Sequence, residues 1–153
     1  MIDEYKALVR RAFDTLWNEV NLAGVDEIFA ADFVCQTPAI QWHGDREAIK
    51  RAAVNARAAF PDMQLGITDQ IAEGDRVVSF YSGTGTHRGK WFGIAATGKL
   101  VNMSGIIVSR VNDGNVVEEW YYDDLYRQAP PTGCRDRRST IPLLHCHHSP
   151  WRQ

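Results

Sequence analysis

The clearest pattern of apolar positions lies near the start of the chain. Between residues 3 and 21, apolar side chains recur at alternating steps of three and one, which is the spacing of one face of an amphipathic helix. The positions are Tyr5, Leu8, Val9, Ala12, Phe13, Leu16, Trp17 and Val20. We therefore predict a first helix over 3–21 that lies on a core.

Two further helices and a short strand are predicted before residue 62. The second helix covers 25–31 and the strand covers 33–37. Asp45 has the side chain of an N-cap and opens the third helix, which Pro61 ends. The apolar face of this third helix is mostly alanine, so we expect it to lie close to a concave sheet.

The remainder of the chain alternates in polarity between turn signals, as strands do. Predicted strands cover 63–72, 76–87, 99–111 and 114–124, with a turn at 73–75 and a loop over 90–98. Three helices followed by four strands in meander order indicate an α+β fold with the helices on one face of the sheet.

The last predicted strand carries the candidate chemistry. Counted in alternation from Val116, one row holds Glu118, Trp120, Tyr122 and Asp124, so two carboxylates lie beside two large aromatic side chains. Charge on a core face costs several kcal/mol unless it is paired or hydrogen-bonded, so we interpret this row as a pocket wall. A solvated strand end, with edge charges that discourage sheet pairing, remains the alternative.

Composition and charge narrow the class of protein. A chain of 153 residues fits one domain, which we assign to 1–128, and can bury roughly 70% of its unfolded surface. No apolar run approaches the roughly 18 residues that cross a bilayer, and the start lacks the order of a signal peptide, so we expect a cytoplasmic protein without membrane contact. Residues 1–128 carry a net charge of −5, whereas nucleic-acid-binding surfaces are basic, so we expect no nucleic-acid partner.

The segment from residue 129 onward differs in character. It holds turn formers and a net charge of +3 without periodicity, so we predict an irregular or disordered tail over 129–153. The run His145-Cys146-His147-His148 has zinc-ligand side chains, but its spacing matches no structural zinc motif, and we predict no metal. Three cysteines, an odd number, argue against a disulfide framework.

Short segments between residues 5 and 128 occur in an order that is specific as a set. They are Asp32-Phe33 with Pro38, Gly44, Ala59-Phe-Pro-Asp62, Glu73-Gly-Asp-Arg-Val77, Gly83-Thr-Gly-Thr-His87, Gly93 with Thr97-Gly-Lys99, and Gly114-Asn-Val-Val-Glu-Glu-Trp120 with Asp124. This set resembles the SnoaL-like polyketide cyclase branch of the nuclear transport factor 2-like superfamily.

The resemblance implies a cone-shaped α+β barrel, in which a strongly curved, mainly antiparallel sheet wraps three helices and leaves a deep apolar cavity. It also implies homodimers, the absence of a metal or cofactor, and an aspartate in the final strand that is acid and base in an intramolecular aldol closure. Asp124, four residues after Trp120, matches that aspartate.

General chemistry supports a carboxyl group in this role. An apolar cavity disfavours the charged form, which moves the pKa of a carboxyl toward working pH, where acid and base catalysis is most effective. Asp124 beside Trp120 and Tyr122 would have such surroundings.

Further candidates each carry an alternative explanation. His87 could polarise a substrate oxygen or lie at a strand end, and Gln36 stands where many relatives carry histidine but could hydrogen-bond a carbonyl. Tyr81, Phe92 and Trp42 could line the pocket or pack in the core.

We therefore predict a cofactor-independent cyclase, of isomerase or lyase type, acting on a small hydrophobic carbonyl compound. One alternative is a non-catalytic module that binds an apolar ligand or dimerises, because fold alone does not fix function. Another is an epoxide hydrolase, which would need two acids on either side of Arg110.

Overall fold

A computed structural model of the chain describes residues 1–124. The predicted tail over 129–153, with Cys134, Cys146 and the His145–His148 run, lies outside the described residues.

Three helices and six strands form an α+β fold, as predicted. The helices are α1 (Ile2–Phe13), α2 (Leu22–Ile28) and α3 (Arg46–Ala59). The strands are β1 (Phe29–Thr37), β2 (Trp42–Asp45), β3 (Gln64–Glu73), β4 (Arg76–Thr86), β5 (Leu100–Asn112) and β6 (Asn115–Asp123).

Several elements differ from the sequence prediction. The second helix, predicted over 25–31, spans Leu22–Ile28, and β1, predicted over 33–37, begins at Phe29. The first helix changes after Phe13 into a π-helical turn, Asp14–Asn18, and is not α-helical throughout 3–21. The strand β2 was not predicted, because its four residues are too few to show alternation, and β1 is its one neighbour in the described sheet.

The sheet has the order β2-β1-β6-β5-β4-β3. β1 pairs in parallel with β6, whereas all other neighbouring strands pair antiparallel. The sheet is therefore mixed, and because β2 and β3 lie at its two ends without pairing to each other, the predicted barrel is not closed.

The predicted face of α1 is buried against the sheet. Val9, Ala12, Phe13 and Leu16 are each at most 5% exposed and belong to the main hydrophobic core. Burial of such side chains stabilises the fold by about 1.5–3 kcal/mol each. The four positions are part of the spacing that predicted the helix.

Both ends of α3 are fixed by polar contacts. Asp45 is the N-cap, as predicted, and its Oδ1 accepts a hydrogen bond of 2.8 Å from the backbone N–H of Ala48. At the other end, the Arg57 guanidinium donates to the carbonyl oxygens of Trp17, Asn18 and Met63 over 2.7–3.0 Å. The alanine face of α3 is thereby held over the sheet.

No helix within residues 1–124 is long and apolar enough to cross a membrane. The same residues contain no group of three or more histidine, cysteine or acidic side chains placed to hold a metal ion.

Candidate active site

A cavity of about 570 Å³ lies between α3 and the inner face of the sheet. Its wall is mainly apolar and aromatic, and includes Phe13, Trp17, Ile49, Ala52, Ala56, Phe60, Met63, Leu65, Met103 and Ile107. The exposed members Arg51, Asn55, Lys90 and Phe92 mark the mouth. The size and lining are those of a site for a small organic molecule.

The inner face of β6 is set by a β-bulge. Arg110 of β5 pairs with Glu118, but the next residue, Val111, pairs with Val116, so Val117 is an extra residue in β6. An extra residue reverses the alternation of side chains beyond it. Val116 is fully buried, and after the bulge the inward positions are Glu119, Tyr121 and Asp123.

The prediction that the even-numbered row faces the pocket is therefore wrong. Its count began at the buried Val116 and assumed unbroken alternation, which the bulge removes. Tyr122 is 49% exposed, and Trp120 lies under the guanidinium of Arg76, with 5.5 Å from its Cζ to the ring centroid. Glu118 forms an ion pair of 3.1 Å with Arg110 and lies near the Gln36 amide.

Of the predicted pocket residues, Trp42, Tyr81 and Phe92 lie in the cavity wall. Glu118, Trp120, Tyr122 and Gln36 do not, because they project from the other face of their strands. Arg110 has no place in the wall either, and it is paired with Glu118 alone among the described acids.

His87 is buried behind the wall. It is 3% exposed, its ring stacks on Phe60 at 5.4 Å between centroids, and its Nδ1 lies 3.1 Å from Thr97 Oγ1. This histidine contacts a wall residue without itself lining the cavity.

Asp123 is the acid that sequence reasoning missed. Tyr81 donates a hydrogen bond of 2.6 Å from its hydroxyl to Asp123 Oδ1, and both side chains line the cavity. Burial raises the pKa of Asp123, and the bond from Tyr81 opposes that rise only in part. The pKa of the Tyr81 phenol is raised by burial, by Asp123 and by Asp124.

Gly105 makes room for the Asp123–Tyr81 pair. It lies on β5 directly opposite Tyr81 on β4 and Asp123 on β6. A Cβ atom there would lie 2.8 Å from the Tyr81 hydroxyl and 2.9 Å from Asp123 Oδ1. The missing side chain lets the phenol reach across β5 to the carboxylate, a three-strand arrangement with no local sequence signature.

Asp124, the acid predicted from sequence, follows the last residue of β6 and is half-buried. Its backbone N–H donates a hydrogen bond of 3.1 Å to the carbonyl oxygen of Ser104. Asp124 is not among the wall residues, although it acts on Tyr81 through its charge. Its catalytic role stays a prediction.

A second carboxyl group lies deeper on the same face. Glu119 is 4% exposed and accepts hydrogen bonds from the hydroxyl groups of Ser109, at 2.8 Å, and Tyr121. Burial raises the pKa of Glu119 to about 7, although both hydrogen bonds act in the opposite direction. The ring of Tyr121 lines the cavity and meets Trp17 edge-on at 5.9 Å.

Part of the wall comes from the loop between β4 and β5. Lys90, Trp91 and Phe92 line the cavity, and Trp91 and Ile94 exchange two backbone hydrogen bonds of 2.9 and 3.0 Å. The loop thereby places the Trp91 ring beside Phe60, and the Phe92 ring packs on Trp91.

Comparison with known proteins gives one consistent similarity. A family model described as SnoaL-like polyketide cyclase matches residues 7–130. No curated protein matches the chain significantly.

Three solved structures from bacteria have the same fold. AclR from Streptomyces galilaeus, described as a candidate hydroxylase, is 28% identical with a TM-score of 0.74, over 84% of this chain and 80% of its own. IdmH from Streptomyces antibioticus, described as a candidate polyketide cyclase, is 27% identical with a TM-score of 0.72, over 80% and 94%. A candidate polyketide cyclase from Acidithiobacillus ferrooxidans is 28% identical with a TM-score of 0.70, over 82% and 93%.

Proposed function

The chain belongs to the SnoaL-like polyketide cyclase family, and from that premise we propose that it closes a ring by aldol addition within a hydrophobic carbonyl substrate, with Asp123 as acid and base. The observation that carries this proposal is the hydrogen-bonded pair of Asp123 and Tyr81 in the wall of an apolar cavity. Asp124 was predicted for this role from the sequence; Asp123 takes its place in this proposal because its side chain lines the cavity.

The reaction begins with the loss of a proton from the carbon beside a carbonyl. The Asp123 carboxylate accepts this proton, and the electron pair of the C–H bond moves into the enolate. Removal from water raises the pKa of Asp123, so its carboxylate is a stronger base than an exposed one. The Tyr81 hydroxyl holds the carboxylate in position and gives it one defined hydrogen bond.

Ring closure follows within the same bound molecule. The enolate carbon forms a bond to a second carbonyl carbon, and the oxygen that becomes negative takes the proton back from protonated Asp123, so the atoms of substrate and product balance without an oxidant or reductant. The apolar wall holds a flexible chain folded, which raises the effective concentration of the two reacting carbons.

Exchange of a carbon-bound proton tests this proposal without knowledge of the natural substrate. 2-Tetralone is an aromatic ketone whose C1 protons lie beside its carbonyl, and their replacement by deuterium in D₂O is followed by proton NMR. We expect the protein to accelerate this exchange above the buffer rate, and Asp123→Asn to lower the acceleration roughly 10²–10⁴-fold, as loss of a general base does.

Matched variants separate the acids. Asp32→Asn removes an exposed carboxylate from β1 and is expected to leave the rate unchanged. If Asp124→Asn abolishes exchange and Asp123→Asn does not, the role returns to Asp124. Exchange at the buffer rate in the wild-type protein, with 2-tetralone bound, would favour a non-catalytic ligand-binding protein instead.

A further inference from the structure

A second pair of phenol and carboxyl groups, Tyr121 and Glu119, lies beside the proposed catalytic pair. Glu119, Tyr121 and Asp123 occupy successive inward positions on β6; Tyr121 and Asp123 line the cavity, and Glu119 lies deeper, beside a small void. Burial of a carboxyl group is unfavourable and the fold has no evident need of one there, since its other neighbours are mostly apolar. We therefore looked for a chemical role for the buried Glu119 carboxyl group.

The groups that face Glu119 leave its charge without a cation. On β5 its partner is Ser109, and on β1 the neighbour is Cys35, whose thiol has a pKa raised by burial to about 12 and is therefore neutral. Toward the helices lies a void of about 10 Å³ lined by apolar side chains and Ser79. Within residues 1–124, no ion pair joins a basic side chain to Glu119, and the other carboxyl on its face of β6 is Asp123.

Hydrogen-bond direction in this cluster depends on one proton. An ionised carboxylate only accepts, so the Tyr121 O–H is committed to Glu119. A protonated carboxyl has an O–H of its own, which it can donate to the Tyr121 oxygen. The phenol hydrogen is then released and can turn toward the cavity that the Tyr121 ring lines.

We propose that Tyr121, switched by protonation of Glu119, is the second proton donor of the cavity and binds the carbonyl oxygen of a ketone substrate. This inference deepens the proposed function, and its catalytic half rests on it. Asp123 accepts the proton from carbon. Tyr121 donates a hydrogen bond to the carbonyl oxygen that becomes negative in the enolate, while protonated Glu119 donates to the Tyr121 oxygen. Asp123 then returns its proton to the new alkoxide, so each group ends in the state in which it began.

The two carboxyl groups must then be in opposite states at the same pH. Asp123 must be ionised to accept a proton, and Glu119 must be neutral to release the Tyr121 hydrogen. Burial raises both pKa values, but that of Glu119 lies at about 7. The working window therefore lies above the pKa of Asp123 and closes as pH rises through about 7. The proposal therefore requires the pKa of Asp123 to lie below that of Glu119, so that one acid is the base while the other remains protonated.

Ligand binding tests this inference independently of turnover. Calorimetry compares 2-tetralone, which carries a carbonyl and does not titrate near neutral pH, with tetralin, the hydrocarbon of the same shape. For the wild-type protein, we expect the Kd of 2-tetralone to rise about 5- to 10-fold between about pH 5.5 and about pH 8.5, because one neutral hydrogen bond is lost. The Kd of tetralin should stay constant, since tetralin has no carbonyl oxygen.

Variants assign the effect. In Glu119→Gln the Kd of 2-tetralone should not change with pH, because nothing titrates there. In Tyr121→Phe the Kd should be raised to one value at both pH values. In Asp123→Asn the step near pH 7 should persist, since Asp123 is not its source.

A step of the same size for tetralin, or a step that survives in Glu119→Gln, would overturn the assignment to Glu119. If Tyr121→Phe does not fold, the pH dependence of the Kd in Glu119→Gln is sufficient to test the assignment. If the protein does not accelerate proton exchange but the Kd of 2-tetralone rises with pH as described, the proposed function is refuted and the Glu119 switch is supported. If the protein accelerates exchange but the Kd does not change with pH, the switch alone is refuted.

Discussion

At the scale of single residues, the position of Val117 decides which acid reaches the cavity. Without the bulge, alternation from Val116 would turn Glu118 and Asp124 inward. With it, Glu119 and Asp123 are inward. A bulge depends on pairing with the neighbouring strand, so the sequence of β6 alone could predict two acids at alternate positions but not which two.

The burial of Glu119 predicts how the free energy of unfolding depends on pH. Its pKa rises from the ordinary 4.5 of a glutamate to about 7 in the folded protein, because burial disfavours the charged form. Between these pH values the unfolded chain releases a proton that the folded chain retains, so the free energy of unfolding falls as pH rises. The loss is absent below about pH 4.5 and complete above about pH 7, where it reaches on the order of 3 kcal/mol.

Urea denaturation of wild-type protein and Glu119→Gln at about pH 5 and about pH 8 measures this loss. We expect the wild type to lose stability relative to the variant by up to about 3 kcal/mol over that range. Parallel pH dependence in the two proteins would show that Glu119 does not titrate there.

At the scale of elements, three neighbouring strands build the catalytic pair. Tyr81, Gly105 and Asp123 are opposite one another on β4, β5 and β6, and only a residue without a side chain at the centre allows the outer two to meet. The sequence predicted all three strands, but their mutual register follows from pairing across the sheet.

Gly105→Ala is expected to separate the pair with little change in fold. The new Cβ would lie 2.8 Å from the Tyr81 hydroxyl and 2.9 Å from Asp123 Oδ1, which is too close for both to stay. We expect at least about a 10-fold loss of 2-tetralone exchange, as positioning effects are large. We also expect a higher pKa of Asp123 by NMR titration, because the hydrogen bond from Tyr81 that lowers it would be lost.

Gly66→Ala is the matched control, because a Cβ at that strand glycine meets no atom within 4 Å. It should retain the exchange rate and the titration of Asp123. Retention of both in Gly105→Ala would mean that the Tyr81–Asp123 contact is not needed.

Other elements show what local pattern can predict. The spacing of apolar residues predicted α1, and the Asp45 carboxylate predicted the start of α3, because both depend on residues a few positions apart. β2 was missed, since it exists only by pairing with β1.

At the scale of the whole molecule, an open six-stranded sheet and the alanine face of α3 enclose the cavity. Small side chains on α3 leave volume that larger ones would fill, which is how an α+β fold of this size contains both a core and a cavity of about 570 Å³. The family order of short motifs predicted the fold class. The predicted homodimer through the outer face of the sheet stays a prediction.

The most direct measurement is a crystal structure of the protein soaked with 2-tetralone. We expect the ketone to bind inside the cavity with its oxygen at a tyrosine hydroxyl. Its C1 carbon should lie within about 3.5 Å of the Asp123 carboxylate, because reacting atoms are about that far apart before a reaction. A ketone bound outside the cavity, or inside it with C1 against Asp124 and away from Asp123, would contradict the assignment of Asp123 as the base.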